Sequence, residues 1–348
     1  MLGIFFAMVS AACFGFQNAS ARRGALSGTA IQGLVTSMVA GTLLFLAFTI
    51  VFGQLGALER MSLADLGFLS AAGFAHFVWG RYWNIRALGA IGANLAGPVQ
   101  QYQLLLSLSL AIFFLGEYLT PLKVLGIILV VSAPAFILHQ RRAKTKRTKS
   151  VPAKAVGADV VGEVAAGDAT AEAKSTFTPR LVEGYICAVL SGLGFGSSAV
   201  LAKSGLMSTG AGFAGGFISY ACATTFVGIM MLNPRNLSEV RAMRGEARKW
   251  FFVSGMAVSF SQMFRYLALS IAPVTVTQPI QATSLIWRMV FGYFINREHE
   301  AFDRYVLVGL CLSFAGAFSL AVSDGMVLSH FDPPAWLIEL SQWKWPNR

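Results

Sequence analysis

Apolar stretches separated by short polar connections run along almost the whole chain. Because an α-helix rises about 1.5 Å per residue, about 20 apolar residues cross the hydrocarbon core of a bilayer. The sequence contains ten such stretches in regular order, which predicts an all-α integral membrane protein with ten transmembrane helices. Numbered in chain order, the predicted spans 1 to 10 are Met1–Ala21, Ile31–Phe52, Leu66–Ala87, Ala93–Leu115, Pro121–His139, Leu181–Ala202, Ala211–Leu232, Trp250–Ile271, Val274–Ile295 and Tyr305–Ser323.

The ten spans form two copies of one five-helix unit. One offset, 181 residues, relates the landmarks of the two copies, which are Gly3 and Gly184, Pro98 and Pro279, and Glu117 and Glu298. Since each copy has an odd number of spans, the second copy enters the bilayer upside down relative to the first. Inverted repeats of this kind are typical of secondary transporters.

The repeat divides the chain into four predicted regions. Residues 1–139 and 181–323 are the two five-helix repeats. Residues 140–180 between them are rich in small and polar residues and poor in aromatics, so we expect a flexible, basic cytoplasmic linker. Residues 324–348 hold several tryptophans around a short apolar piece, which predicts a tail anchored at the membrane interface.

The overall composition agrees with a membrane protein. Of the 348 residues, 55% are hydrophobic and only 12% are charged, which excludes a soluble domain of this size. The four cysteines lie in apolar stretches without a Cys-x-x-Cys pair, so neither a metal nor another cofactor is expected. The chain has no Gly-x-x-x-x-Gly-Lys-Ser/Thr loop, so it is not expected to use ATP itself.

The positive charge of the chain predicts its orientation. Much of the net charge of +11 lies in the connections after spans 1, 3, 5, 7 and 9, including Arg22, Arg23 and the run Arg141–Lys149. The positive-inside rule assigns these connections to the cytoplasm, so both termini are expected on the extracytoplasmic side of a bacterial inner (cell) membrane. The basic charge thus indicates membrane lipids as neighbours and no nucleic-acid partner.

Two kinds of segment occur once in each copy. The first is FGFQNASARRGAL at 14–26 and FGSSAVLAKSGL at 195–206. The second is AGPVQQYQLLLSLSLAIFFLGEYLTPLKVLG at 96–126 and TQPIQATSLIWRMVFGYFINREHEAF at 277–302. These segments resemble the drug/metabolite transporter superfamily in its ten-helix EamA type. The resemblance implies that fold and transport of a small molecule, and leaves the substrate open among amino acids, drugs, nucleotide sugars and phosphorylated sugars.

The same resemblance implies that Glu117 and Glu298 belong to the hallmark motif that this superfamily has at the end of a helix. The copies differ there, since the first has Gly116 before the glutamate and the second has Arg297. Two roles fit a carboxylate at a span boundary: closing a helix end, or proton coupling. We favour the first, because a proton-coupling carboxylate is more often found near the bilayer midplane.

Polar side chains inside the spans are the candidates for a substrate site, because they are costly in a bilayer. In span 4, Gln100 and Gln103 lie on one helical stripe, and their partners in span 9 are Gln281 and Ser284, with Arg288 on the same stripe. Inverted stripes meet across a pseudo-two-fold axis, where transporters bind substrate. The alternative is simple hydrogen bonding between helices.

Spans 3 and 8 supply a second matched pair of stripes. Arg81 and Asn84 in span 3 correspond to Gln262 and Arg265 in span 8. Arg81 lies near the predicted cytoplasmic end, so snorkelling to the membrane surface is an alternative role. Arg265 and Arg288 lie at depths where snorkelling is difficult, so we expect them to face an aqueous cavity and to bind a carboxylate or phosphate.

Each copy also carries a proline within the substrate-site helix. Pro98 and Pro279 remove a backbone donor and kink the helix. A hinge that moves during transport and a static kink both fit this pattern.

The sequence therefore predicts a secondary transporter that moves a small metabolite by alternating access. The positive candidate groups favour an anionic or zwitterionic substrate, such as an amino acid or a related compound. The alternative is a membrane-embedded enzyme acting on a lipid or polyprenyl substrate. Its signature would be a convergent set of acids, bases or metal ligands, and the histidines are instead scattered without His-x-x-x-His spacing.

Overall fold

The computed structural model of the protein describes residues 2–129, 131–132, 136 and 180–297, together with residues 308, 311–312, 315–316, 319 and 343. Helices make up most of these residues. The predicted linker before residue 180, Glu298 and nearly all of span 10 and of the tail lie outside this part of the chain, so their predictions stay untested.

The described helices follow the predicted order of spans. Their bounds are Leu2–Ala25 for span 1, Ala30–Val51 for span 2, Leu181–Leu206 for span 6, Gly212–Met230 for span 7 and Gly245–Ile271 for span 8. Span 5 is helical over residues 121–129. Within the described ranges, spans 1, 2, 3, 4, 6 and 7 have helices long and apolar enough to cross a bilayer. The protein is thus an integral, multi-pass membrane protein.

Side-chain caps start several helices as their sequence predicts. Ser62 and Asp65 form a capping box at the start of span 3, where the Ser62 Oγ accepts from the Asp65 N–H at 3.1 Å and the Asp65 carboxylate accepts from the Ser62 N–H at 2.9 Å. Thr120 caps span 5 by accepting from the Lys123 N–H at 3.2 Å.

Three of the predicted spans are not continuous α-helices. Span 3 is α-helical over Leu63–Gly73, a π-helix over Phe74–Gly80 and α-helical again over Arg81–Ile91. Span 4 is divided into Ala93–Gln100 and Tyr102–Leu115. Span 9 is divided in the same way, into helices at Val274–Ala282 and Ser284–Asn296, and two short helices at Leu55–Arg60 and Pro234–Arg241 lie in connections.

The two halves of the chain pack mainly against each other. Span 1 lies against spans 8 and 9, span 6 lies against spans 3 and 4, and spans 2 and 7 contact one another. Between them is an apolar core in which the Tyr220 ring lies 3.9 Å from that of Phe77 and 5.1 Å from that of Phe45. This arrangement brings polar side chains of spans 1, 3, 4, 6, 8 and 9 into the interior.

Candidate functional site

Span 3 contributes one polar side chain to each of three buried clusters, and its π-helix explains how. His76, Arg81 and Asn84 are all at most 4% exposed. The Arg81 N–H donates to the His76 carbonyl, five residues earlier, which is the hydrogen bond of a π-helix. Residues five apart therefore stack on one face, whereas an α-helix would turn them about 140° apart. The π-helix thus aligns His76 with Arg81.

The histidine cluster consists of His76, Ser198, Gln262 and Arg265, from spans 3, 6 and 8. Arg265 donates to the Gln262 Oε1 at 3.1 Å and to the Ser198 Oγ at 3.1 Å. The Gln262 Nε2 lies 2.8 Å from the His76 Nε2, and the Ser198 Oγ lies 3.0 Å from the His76 Nδ1. The Phe195 ring packs on the imidazole with 4.6 Å between the ring centroids. The cluster brings together two predicted residues, Gln262 and Arg265, and two that were not predicted.

The serine cluster surrounds the second predicted arginine of this face. The Arg81 Nε donates to the Ser37 Oγ at 2.8 Å, and one terminal nitrogen donates to the Ser254 Oγ at 3.3 Å. Ser254 in turn donates to the Gln17 carbonyl at 3.2 Å. Arg81 is 2% exposed, so its guanidinium does not reach the protein surface by snorkelling.

The amide cluster joins spans 1, 3, 4, 6 and 9. Gln100 donates to the Asn84 Oδ1 and to the Ser191 Oγ, both at 2.8 Å. Asn84 donates to the Asn18 Oδ1 at 3.0 Å. The Gln100 Oε1 accepts from Arg288 at 3.2 Å. Three predicted residues, Asn84, Gln100 and Arg288, thus lie in direct contact through their side chains.

The remaining predicted residues of the stripes are not part of these clusters. Gln103 and Ser284 form no side-chain hydrogen bond to any residue in the described ranges. Within the same ranges, the Gln281 Oε1 is buried without a hydrogen-bond partner. A buried acceptor without a donor is costly, so Gln281 is a candidate to bind a group that the chain itself does not provide.

The charge of the clusters is positive. Within the described residues, the partners of Arg81 and Arg265 are hydroxyl, amide and imidazole groups, and neither arginine has a carboxylate within 4.0 Å. A buried charge is costly unless it is paired and hydrogen-bonded. These two guanidiniums satisfy the hydrogen-bond requirement and leave the charge unbalanced, which favours an anion at this site.

Glu117 lies apart from the clusters and binds the start of span 9. Its two carboxylate oxygens accept from the Val274 and Thr275 N–H groups, each at 2.7 Å. The residue before this helix, Pro273, supplies no side-chain cap. A carboxylate at a helix N-terminus is stabilised by the free N–H groups and by the helix dipole. This geometry fits the structural role expected for the glutamate, and the helix that it caps lies in the second half of the chain.

The two prolines lie inside short helices that end soon after them. Pro279 is within Val274–Ala282, and Pro98 is within Ala93–Gln100. Gln101 separates the helix of Pro98 from the rest of span 4, and Thr283 separates the helix of Pro279 from the rest of span 9. The interruptions fit either a hinge or a static kink.

The sequence prediction missed His76, Ser198 and Asn18. A usable signal was present for Ser198, because the repeat offset relates it to Gln17 and both are polar residues inside apolar spans. His76 lies five residues before Arg81, a spacing that an α-helical pattern assigns to different faces. Across the described ranges, no group of three His, Cys, Asp or Glu residues is arranged to hold a metal ion.

Comparison with known protein families finds a match for the first part of the chain. A family model described as the EamA-like transporter family matches residues 1–138. A solved structure described as "Crystal structure of protein" is similar with a TM-score of 0.57 and 14% sequence identity, over 94% of this chain and 97% of the other. At this identity the likeness concerns the fold alone. No curated protein matches the sequence. The match over residues 1–138 supports the resemblance of this part of the chain to the EamA type of the drug/metabolite transporter superfamily.

Proposed function

We propose that the protein is a secondary transporter that moves a small anionic or zwitterionic metabolite, such as an amino acid or a related compound, by alternating access. The observation that carries the proposal is the pair of buried guanidiniums. Arg81 and Arg265 are 2% and 4% exposed, and within the described ranges neither has a carboxylate partner. A carboxylate or phosphate of the substrate would supply the missing negative charge.

The substrate is proposed to lie among the three clusters. Its anionic group binds Arg265 and Arg81, and its other polar groups reach the amides. The proposed binding residues are Arg81, Asn84, Gln100, Gln103, Gln262, Arg265, Gln281, Ser284 and Arg288. His76 and Ser198 lie beside Gln262 and Arg265 in the histidine cluster.

Alternating access rests on ten spans arranged as two inverted five-helix repeats, which we infer from contacts between equivalent residues. Phe14 and Phe195 are related by the 181-residue offset, and their rings are in edge contact with centroids 5.8 Å apart. Gln101 and Ala282 are related by the same offset, and the Gln101 amide donates to the Ala282 carbonyl at 3.0 Å. Residues that contact their own equivalents lie on a two-fold axis, so these two pairs support a pseudo-two-fold axis between the halves.

Matching contacts away from the axis support the same symmetry. Arg22, near the end of span 1, donates to the Leu88 carbonyl of span 3 at 2.7 Å. Lys203, near the end of span 6, donates to the Leu269 carbonyl of span 8 at 2.8 Å. Donor and acceptor are both shifted by the 181-residue offset, so each copy uses a basic side chain near the end of its first span to bind a carbonyl near the end of its own third span.

The remaining organisation follows from the same proposal. Residues 1–139 and 181–323 are the two repeats, residues 140–180 are a cytoplasmic linker, and residues 324–348 are an interfacial tail. Both termini are extracytoplasmic, in a bacterial inner membrane. The comparisons offer no support for a membrane-embedded enzyme.

The test is ligand binding by purified protein carrying Arg265→Gln or Arg81→Gln. A thermal-shift screen with acetate, inorganic phosphate, L-glutamate and a cationic amine first identifies the charge that stabilises the protein. Because a charge-assisted hydrogen bond contributes about 1.5–3 kcal/mol, each variant should weaken binding of the stabilising anion about tenfold or more.

Arg60→Gln is the matched control, since Arg60 is exposed in a connection and should bind the anion as the unaltered protein does. Unchanged anion affinity in both buried-arginine variants would contradict the proposed site. Stabilisation by the cation alone would contradict the substrate class.

A further inference from the structure

The hydrogen bonds around His76 define its protonation state. Arg265 has only donors, so the Gln262 oxygen faces Arg265 and the Gln262 amide nitrogen must face the His76 Nε2. The His76 Nε2 is therefore an acceptor without a proton. The Nδ1 lies 3.0 Å from the Ser198 Oγ, which donates to the Phe195 carbonyl at 2.9 Å, and 3.4 Å from a terminal nitrogen of Arg265. Because donors of Gln262 and Arg265 face both ring nitrogens, the network favours a neutral imidazole over a protonated one.

Within the part of the chain that the structure describes, the charged groups that face His76 are positive. Arg265 approaches from span 8, with one terminal nitrogen 3.4 Å from the His76 Nδ1, and Arg81 follows on its own span. Span 6 contributes the neutral residues Ser198 and Phe195. Within the described residues, no carboxylate is bonded to any member of the cluster. A third positive charge on the imidazole is opposed by repulsion as long as no anion is bound.

An anion at Arg265 would change this balance. It would take over the guanidinium donors that now bind Gln262, and it would place a negative charge beside the imidazole. The freed Gln262 amide would turn its oxygen toward the His76 Nε2, where it accepts a hydrogen bond from a newly bound proton. One proton from the aqueous side then adds to the Nε2 lone pair, and no other bond is made or broken.

We propose that His76 is the proton-coupling residue, so that each anion bound at Arg265 is accompanied by one proton and the transporter carries the two together. This inference rests on the proposed function, because it needs the anion site. On this proposal Glu117 is not the proton-coupling residue, because its two carboxylate oxygens already accept hydrogen bonds from backbone N–H groups.

The experiment measures proton uptake during anion binding. The purified protein is titrated calorimetrically with acetate, inorganic phosphate and L-glutamate, in two buffers with different ionisation enthalpies at the same pH. We expect uptake approaching one proton per bound anion. Since the proton and the anion bind together, affinity should be higher at low pH and fall by up to about tenfold per pH unit as the pH rises.

Variants separate the roles of the two residues. His76→Gln and His76→Asn keep a polar group in the cluster and should bind the anion with proton uptake near zero and a flat pH profile. His139→Gln, which changes a histidine elsewhere in the chain, should retain full uptake. Arg265→Gln should weaken anion binding itself about tenfold or more.

The outcomes distinguish this inference from the proposed function. Anion binding without proton uptake in the unaltered protein would overturn the role of His76 and leave the anion site intact. Full proton uptake in both His76 variants would assign the coupling to another group. Failure of all three anions to bind would overturn the anion site and the coupling with it.

Discussion

At the scale of single residues, Glu117 in the first half of the chain caps a helix in the second half. We expect Glu117→Gln to lower the melting temperature of the purified protein. An amide offers one acceptor oxygen in place of two, so either the Val274 or the Thr275 N–H loses its partner, which costs about 1–3 kcal/mol. The negative charge that favours a helix N-terminus is lost as well.

Glu59→Gln is the control for this measurement, because Glu59 is an exposed glutamate in a connection and should leave the melting temperature unchanged. A Glu117→Gln protein that melts normally but takes up no proton with the anion would contradict the cap. It would favour the other role expected for this glutamate, proton coupling.

The sequence predicted the charged groups of the site better than their neighbours. Arg81 and Arg265 were recognisable because a guanidinium inside an apolar span always needs an explanation. His76 was not, because its contact with Arg265 depends on a π-helix that brings it onto the face of Arg81. The choice between α- and π-helical turns is made by packing across spans, which a single apolar pattern does not record.

At the scale of helices, the close approach of spans 3 and 7 depends on Gly73. A Cβ at this position would lie 2.1 Å from the Ser219 carbonyl oxygen, which belongs to the backbone of span 7. Gly73→Ala should therefore force the helices apart and destabilise the protein by about 1–3 kcal/mol, measured as a lower melting temperature.

Gly67 provides a control on the same helix. A Cβ there would meet nothing within 4 Å, and alanine is the better helix former by about 0.5–1 kcal/mol. Gly67→Ala should thus be neutral or slightly stabilising. Equal melting of the two alanine variants would mean that spans 3 and 7 are not in contact as described.

The sequence predicted where helices occur better than it predicted where they are interrupted. Length and apolarity were enough to find spans 1, 2, 6 and 7, and Ser62 with Asp65 marked the start of span 3. The prolines predicted a kink in each of spans 4 and 9, but the sequence did not predict that the helices would be interrupted at Gln101 and Thr283. What distinguishes them is tertiary: the Gln101 side chain binds the carbonyl of Ala282, its equivalent in the other half.

At the scale of the whole molecule, the orientation in the membrane follows from the basic connections. We expect a cysteine introduced at Ser150, within the linker, to stay unlabelled by an impermeant maleimide in intact cells and to react after lysis. The four native cysteines are replaced for this test. Met207→Cys is the control, because it is an exposed residue on the opposite predicted side and should react in intact cells. The reverse labelling pattern would show that the topology is opposite to the predicted one.

The packing of span 1 against spans 8 and 9 also has a consequence for biosynthesis. The Ser10 hydroxyl donates to the Ser261 carbonyl at 2.7 Å, and these residues are 251 positions apart. At about 5–20 residues per second, a ribosome needs roughly 12–50 s to make the intervening chain. During that time the polar face of span 1 resides in the bilayer without its partners. The order of synthesis therefore leaves the first half dependent on temporary neighbours, such as the insertion machinery or other helices, until the second half arrives.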